Sequence, residues 1–178
     1  MPKAKLSRDE LLSLLNVFVK QEEEHISAFQ MQLRIFWAVI PAIGAATLVG
    51  IVNASRPVHY LALVVGPGFL IILCRLAKTA TNRHYLRFLE AIAQRAKVET
   101  ALGMTADGIL DGYPELWAGE PLVAYRHIAS RRSYKSSAEF VELESRKGLN
   151  RISRNLALAG EVIAWLGMGL LVVAAVTA

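Results

Sequence analysis

Long apolar runs dominate the hydrophobic pattern of the chain. Ile35 to Val52 (IFWAVIPAIGAATLVGIV) is eighteen residues without a charge. Tyr60 to Cys74 (YLALVVGPGFLIILC) follows after a very short polar stretch and extends through Leu76 and Ala77. A third run, Leu156 to Ala178, carries one charge, Glu161. A helix needs roughly 20 apolar residues to cross the ~30 Å hydrocarbon layer. The first and third runs meet that length, and snorkelling of Arg75 and Lys78 completes the second. Backbone groups find no water in lipid, so all three runs are expected to be helices. A buried helix of a soluble bundle rarely runs so far without a polar face.

The polar segments between these runs also show helical periodicity. Ser7-Arg8-Asp9-Glu10 fits a capping box, with Ser7 as N-cap and Glu10 reaching back. Leu11, Leu14, Leu15, Phe18, Ile26, Phe29 and Leu33 then make one apolar stripe, on which Glu22 and His25 also fall. The second run reads on as a helix to about Leu102, with Gly103 as its C-cap. Tyr85, Leu89, Ile92 and Ala96 form its apolar face, and the N-terminal helix is the expected partner. Two Asp-Gly pairs mark residues 103–120 as loop. Turn chemistry accounts for Asp107 and Asp111 there, and the spacing is not that of a calcium loop. A helix is expected from Pro121 to about Ser130. Another is expected after a Ser136 or Ser137 cap, with glutamates early and Arg146 and Lys147 late.

The pattern predicts an all-α integral membrane protein with three transmembrane helices and a cytoplasmic helical domain. The expected divisions are an amphipathic helix over 1–34, a hairpin over 35–77 (spans 35–52 and 60–77), a cytoplasmic domain over 78–155 and a third span over 156–178. Three spans per chain cannot enclose a pore, so any channel would need several copies.

Charge sets the orientation. Net charge is +5, and residues 75–154 hold fourteen Lys and Arg against nine Asp and Glu. The turn at 53–59 has only Arg56. Basic residues near span ends mark the cytoplasmic side. The N-terminus and residues 76–155 are therefore expected inside, and 53–59 and the C-terminus outside, in a bacterial inner membrane. The basic excess then serves topology and contact with anionic lipid, not nucleic acid. The lone cysteine, Cys74, permits no disulfide within the chain. No cleavable signal peptide is expected, because the first apolar run begins late.

Candidate functional positions are few. Ala38, Ala42, Ala46 and Gly50 recur every four residues, a stripe that lets another helix approach closely. Pro41 is expected to kink the first span. Gly66-Pro67-Gly68 interrupts the second span, as a hinge, a gate or a packed kink. Glu161 lies about one turn inside the third span, where an ionisable group is costly. It is expected either to pair with Arg34 or to line a pore mouth. Arg75, Lys78, Arg131 and Arg132 are candidate lipid or partner contacts. No phosphate loop, zinc motif or nucleophile elbow is present. The four histidines are scattered, so no enzyme activity, metal or cofactor is expected.

The tight hairpin, with Tyr85-Leu86-Arg87-Phe88-Leu89-Glu90 and Val98-Glu99-Thr100-Ala101-Leu102-Gly103 in the helix that follows it, resembles small bacterial membrane proteins. These are the SLATT-domain effectors and the RipA-type octameric membrane proteins. The resemblance covers roughly residues 10–105, and a third span departs from the simplest two-span pattern. It implies a pore-forming effector, and the small-residue stripe, the Gly66-Pro67-Gly68 break and Glu161 point the same way, to a homo-oligomeric pore or channel-like protein. The alternative is a non-conducting scaffold or accessory subunit. Its cytoplasmic loop 103–120 and basic patch at Arg131 and Arg132 would recruit a protein partner.

Overall fold

The computed structural model describes residues 6–106 and 134–177, and among these every regular element is helical. In chain order they are α1 (Arg8–Val52), α2 (Pro57–Leu63), α3 (Val65–Ala101), α4 (Ser137–Ser145) and α5 (Gly148–Thr177). Three stretches, Arg8–Val52, Pro57–Ala101 and Gly148–Thr177, are each long and apolar enough to cross a membrane. Large apolar side chains on them face outward: Leu48 is 65% exposed, Val65 73% and Leu170 71%. Water would penalise that surface at about 25 cal/mol per Å². The architecture fits a multi-pass membrane protein.

The helix ends follow local chemistry. The Ser7 amide donates to Glu10 Oε2 at 2.7 Å, and the Glu10 amide donates to Ser7 Oγ at 3.3 Å. This is the reciprocal box expected from the sequence. Its hydrogen bonds hold the Glu10 carboxyl below its usual value. At the far end of α3, Gly103 adopts φ 78°. The Gly103 amide donates to Thr100 O at 3.1 Å and the Met104 amide to Glu99 O at 3.0 Å. Those two bonds form a Schellman cap, which needs a left-handed residue at Gly103. Ser136 caps α4 by accepting from the Glu139 amide at 3.1 Å. Gly148, at φ 57°, is the first residue of α5 and turns the chain out of α4.

The described residues form two compact units, one within 1–26 and 85–147 and the other within 27–84 and 148–178. These divisions fall inside α1 and α3. Both helices run unbroken through 34/35 and 77/78, as their sequence pattern implied, although the composition changes there. The third apolar helix begins at Gly148, so two polar turns precede the apolar run that starts at Leu156.

In the 27–84/148–178 unit, α3 and α5 run antiparallel. Asn82 meets Asn150, Thr81 meets Ser153, and Arg75 meets Glu161. Leu70, Ile71, Cys74 and Ala164 form the core, with Ile40, Ile43 and Met168 packed against it. The seam on α5 is Asn150, Ser153, Ala157, Gly160, Ala164, Gly167 and Leu171, spaced alternately by three and four residues. That is the spacing of left-handed helix pairs. Its small side chains allow a close approach: a Cβ added at Gly160 would stand 3.0 Å from Cys74 Sγ. In the other unit α1 presents its predicted stripe, with Leu11, Leu14, Leu15, Phe18 and Glu22 all partly covered. There α3 buries Leu89, Ala91, Ala93, Ala96 and Val98.

Candidate functional site

The transition from polar to apolar sequence occurs at matching heights on α3 and α5, and it places a charged cluster there. Glu161 Oε1 accepts from Arg75 Nε at 2.8 Å and lies 2.8 Å from Arg75 Nη2. The carboxylate is mostly covered, at 17% side-chain exposure, while the guanidinium is 63% exposed. The partner expected from the sequence was Arg34. The structure replaces it with Arg75, because Cys74 and Gly160 bring α3 against α5 and leave Arg34 exposed on α1. Arg75, Lys78, Thr79, Asn82, Arg154 and Glu161 line an open cleft of about 730 Å³.

Beside the cleft runs a polar seam. Ser153 Oγ donates to Thr81 Oγ1 at 3.3 Å, and Thr81 Oγ1 donates to Ala77 O at 2.7 Å. Asn150 Nδ2 donates to Asn82 Oδ1 at 3.0 Å. Thr81 and Asn150 are essentially inaccessible. Bonds of this kind between two packed helices fix their register, at about 1 kcal/mol each. The sequence reading missed this seam. Its signal was available, since Asn150, Ser153, Ala157 and Gly160 continue the three-four spacing into the apolar run.

In the other unit Glu22 Oε2 lies 2.7 Å from Arg95 Nη1, and Glu99 Oε1 lies 3.1 Å from Arg95 Nε. Glu22 stands on the α1 stripe, as its position in the sequence implied. Arg95 is the partner that the reading of Glu22 and His25 did not supply. His25 lines a separate open groove of about 660 Å³ with Leu86, Glu90, Gln94, Val141 and Glu142. Nearby, the Tyr134 hydroxyl donates to Glu144 Oε1, and Lys147 Nζ lies 2.9 Å from the same oxygen. The hydroxyl, then the ammonium, hold the Glu144 carboxyl below its usual value. The carboxylate raises both Tyr134 and Lys147.

No protein-family model matches the chain, and no curated protein or solved structure is detectably similar to it.

The remaining candidates separate clearly. Among the described residues Ala38, Ala42 and Ala46 are exposed, and Gly50 of that stripe is partly covered and packs against Leu63. The break in the second span falls at Val64, one residue before α3 begins. The Val64 amide donates to Leu61 O at 3.2 Å. Gly66, Pro67 and Gly68 occupy the first turn of α3, where a missing proline N–H costs little. A Cβ at Gly66 would come within 2.6 Å of Thr47 Oγ1, so the glycine permits α1 and α3 to pack closely. α1 continues as helix through Pro41. Arg131 and Arg132, the aspartates of 107–120 and the helix expected from Pro121 lie outside the described residues.

Proposed function

We propose that the chain is a self-associating, multi-pass scaffold of a bacterial inner membrane, with its N-terminus in the cytoplasm and its C-terminus outside. The observation that carries this reading is the outward position of Ala38, Ala42 and Ala46 on α1. None of the most apolar window of α1 is buried inside the chain, against 28% for the window in Pro57–Ala101 and 17% for that in Gly148–Thr177. Small residues gain little from lipid but let a second helix approach closely. The orientation rests on the basic excess of residues 75–154. In that orientation the unit built from 1–26 and 85–147 is cytoplasmic, and its open groove offers a surface to a protein partner.

A pore-forming assembly is the second reading. Its support is the same exposed α1 window, which would let several copies close a ring. Two features that pointed to conduction have roles inside one chain: Glu161 binds Arg75, and Gly66 seats Thr47. This favours the scaffold.

Native mass spectrometry from nanodiscs tests both. The wild type should appear as a homo-oligomer, and Ala42→Leu/Ala46→Leu should shift it to monomer without loss of helicity. A monomeric wild type sinks self-association. A closed ring of about five or more copies that passes ions across a planar bilayer replaces the scaffold with the pore.

A further inference from the structure

We propose that the cleft between α3 and α5 binds the phosphate of an anionic glycerophospholipid. The inference rests on the membrane reading of the three long helices and adds a specific ligand class to it. Three cations, Arg75, Lys78 and Arg154, line the cleft against one carboxylate, Glu161. Glu161 engages Arg75 through Nε and Nη2 only. A guanidinium has five N–H donors, so its outer edge keeps donors for a phosphate oxygen. The ion pair also holds that edge in place, which suits the planar recognition of phosphate by arginine. Thr79 and Asn82 add a hydroxyl and an amide on the same rim.

A lipid fits this cleft better than a free anion because of what lies next to it. On α5, Arg154, Leu158, Glu161 and Trp165 share one face, at helical spacings of four, three and four. Leu158 and Trp165 are 51% and 50% exposed. On α3, Ile72 lies one turn from Arg75 toward the apolar end and is 55% exposed. The cationic rim therefore sits above an exposed apolar surface, as a headgroup sits above its acyl chains. A zwitterionic headgroup would bring an ammonium to a site with two surplus positive charges and a largely covered carboxylate.

The test uses the full chain in nanodiscs, with bound lipid counted by native mass spectrometry. The probes are phosphatidylglycerol, phosphatidylcholine and inorganic phosphate. Phosphatidylglycerol should be retained over phosphatidylcholine by roughly tenfold or more, since each cation near an anionic lipid contributes several-fold. Lys78→Gln/Arg154→Gln should abolish that preference. Arg154→Gln alone should cut the preference several-fold, and Arg151→Gln, which removes one charge from the same turn of α5 outside the cleft, should cut it less. Circular dichroism checks that each variant keeps its helices. Equal loss with Arg151→Gln, or no preference between the two lipids, overturns the site. Displacement of the lipid by millimolar phosphate assigns the cleft to a free anion and also overturns it. If the chain instead stays monodisperse in buffer without detergent, the membrane reading has failed, which is a separate result.

Discussion

The two halves of α3 pack by different chemistry. Through Leu70, Cys74, Ala77 and Thr81 the helix meets α5 with small side chains, and its polar contacts are short neutral bonds such as Ser153 to Thr81. Beyond Tyr85 it meets α1 through Arg95, which holds Glu22 and Glu99. The first half carries the stretch of this helix that is apolar enough for a membrane. There, attraction comes from close approach, because lipid tails are as apolar as leucine. The second half has alternating exposed charge, such as Arg87 and Glu90, so apolar burial and ion pairs in water hold it. One continuous helix thus follows two sets of rules, and its residue types change where the rules change.

The largest way to break the comparison is Arg95→Ala. Removing the guanidinium leaves two carboxylates facing each other with little water. The side chains of Arg95 and Glu22 are about one-fifth exposed and that of Glu99 less. Loss of one partner of such a group should cost about 3 kcal/mol. Thermal unfolding in detergent, followed by circular dichroism, should show it. A cost under about 0.5 kcal/mol, the size expected of a surface pair, would mean that this half does not depend on its ions.

Gly160→Leu addresses the other half. A side chain there meets Cys74 Sγ, so α3 and α5 must separate. Overpacking of this kind costs about 2 kcal/mol, and disulfide trapping between cysteines introduced at Thr81 and Ser153 should slow. Unchanged trapping would show that the helices tolerate a wider gap.

The smallest effect sharpens the polar half. The Glu144 carboxyl is held below its usual value by the Tyr134 hydroxyl and Lys147. Its contribution is present above the unfolded carboxylate value and is lost as pH falls through the lower, folded value. Tyr134 and Lys147 are raised. Their contribution is present below their unfolded values and is lost as alkaline pH passes the raised ones. Tyr134→Phe should flatten both limbs in an NMR titration of α4. An unchanged acid limb would assign the Glu144 shift to Lys147.

The elements were legible because their signals are local. The capping box at Ser7 and the left-handed Gly103 are read within four residues of sequence. The apolar windows announce three long helices for the same reason. Pairings were harder to read. Arg34 and Arg75 both stand near the apolar boundary, and the choice between them depends on which helix lies beside α5. That choice is made by Cys74 and Gly160, residues whose importance is their small size. The Thr81–Ser153 bond joins positions 72 residues apart, so the local spacing that marks Ser153 as a seam residue does not name its partner.

The Arg75–Glu161 pair sets an order of events during biosynthesis. A carboxylate one turn inside a membrane helix is costly until it finds a counter-ion. Its counter-ion lies 86 residues upstream, so a ribosome makes it first, by roughly ten seconds. The last helix therefore enters a bilayer in which its docking position already exists. In the whole chain the counter-ion is in place before Glu161 needs it, so a defect at Arg75 would appear as loose docking of α5 against α3.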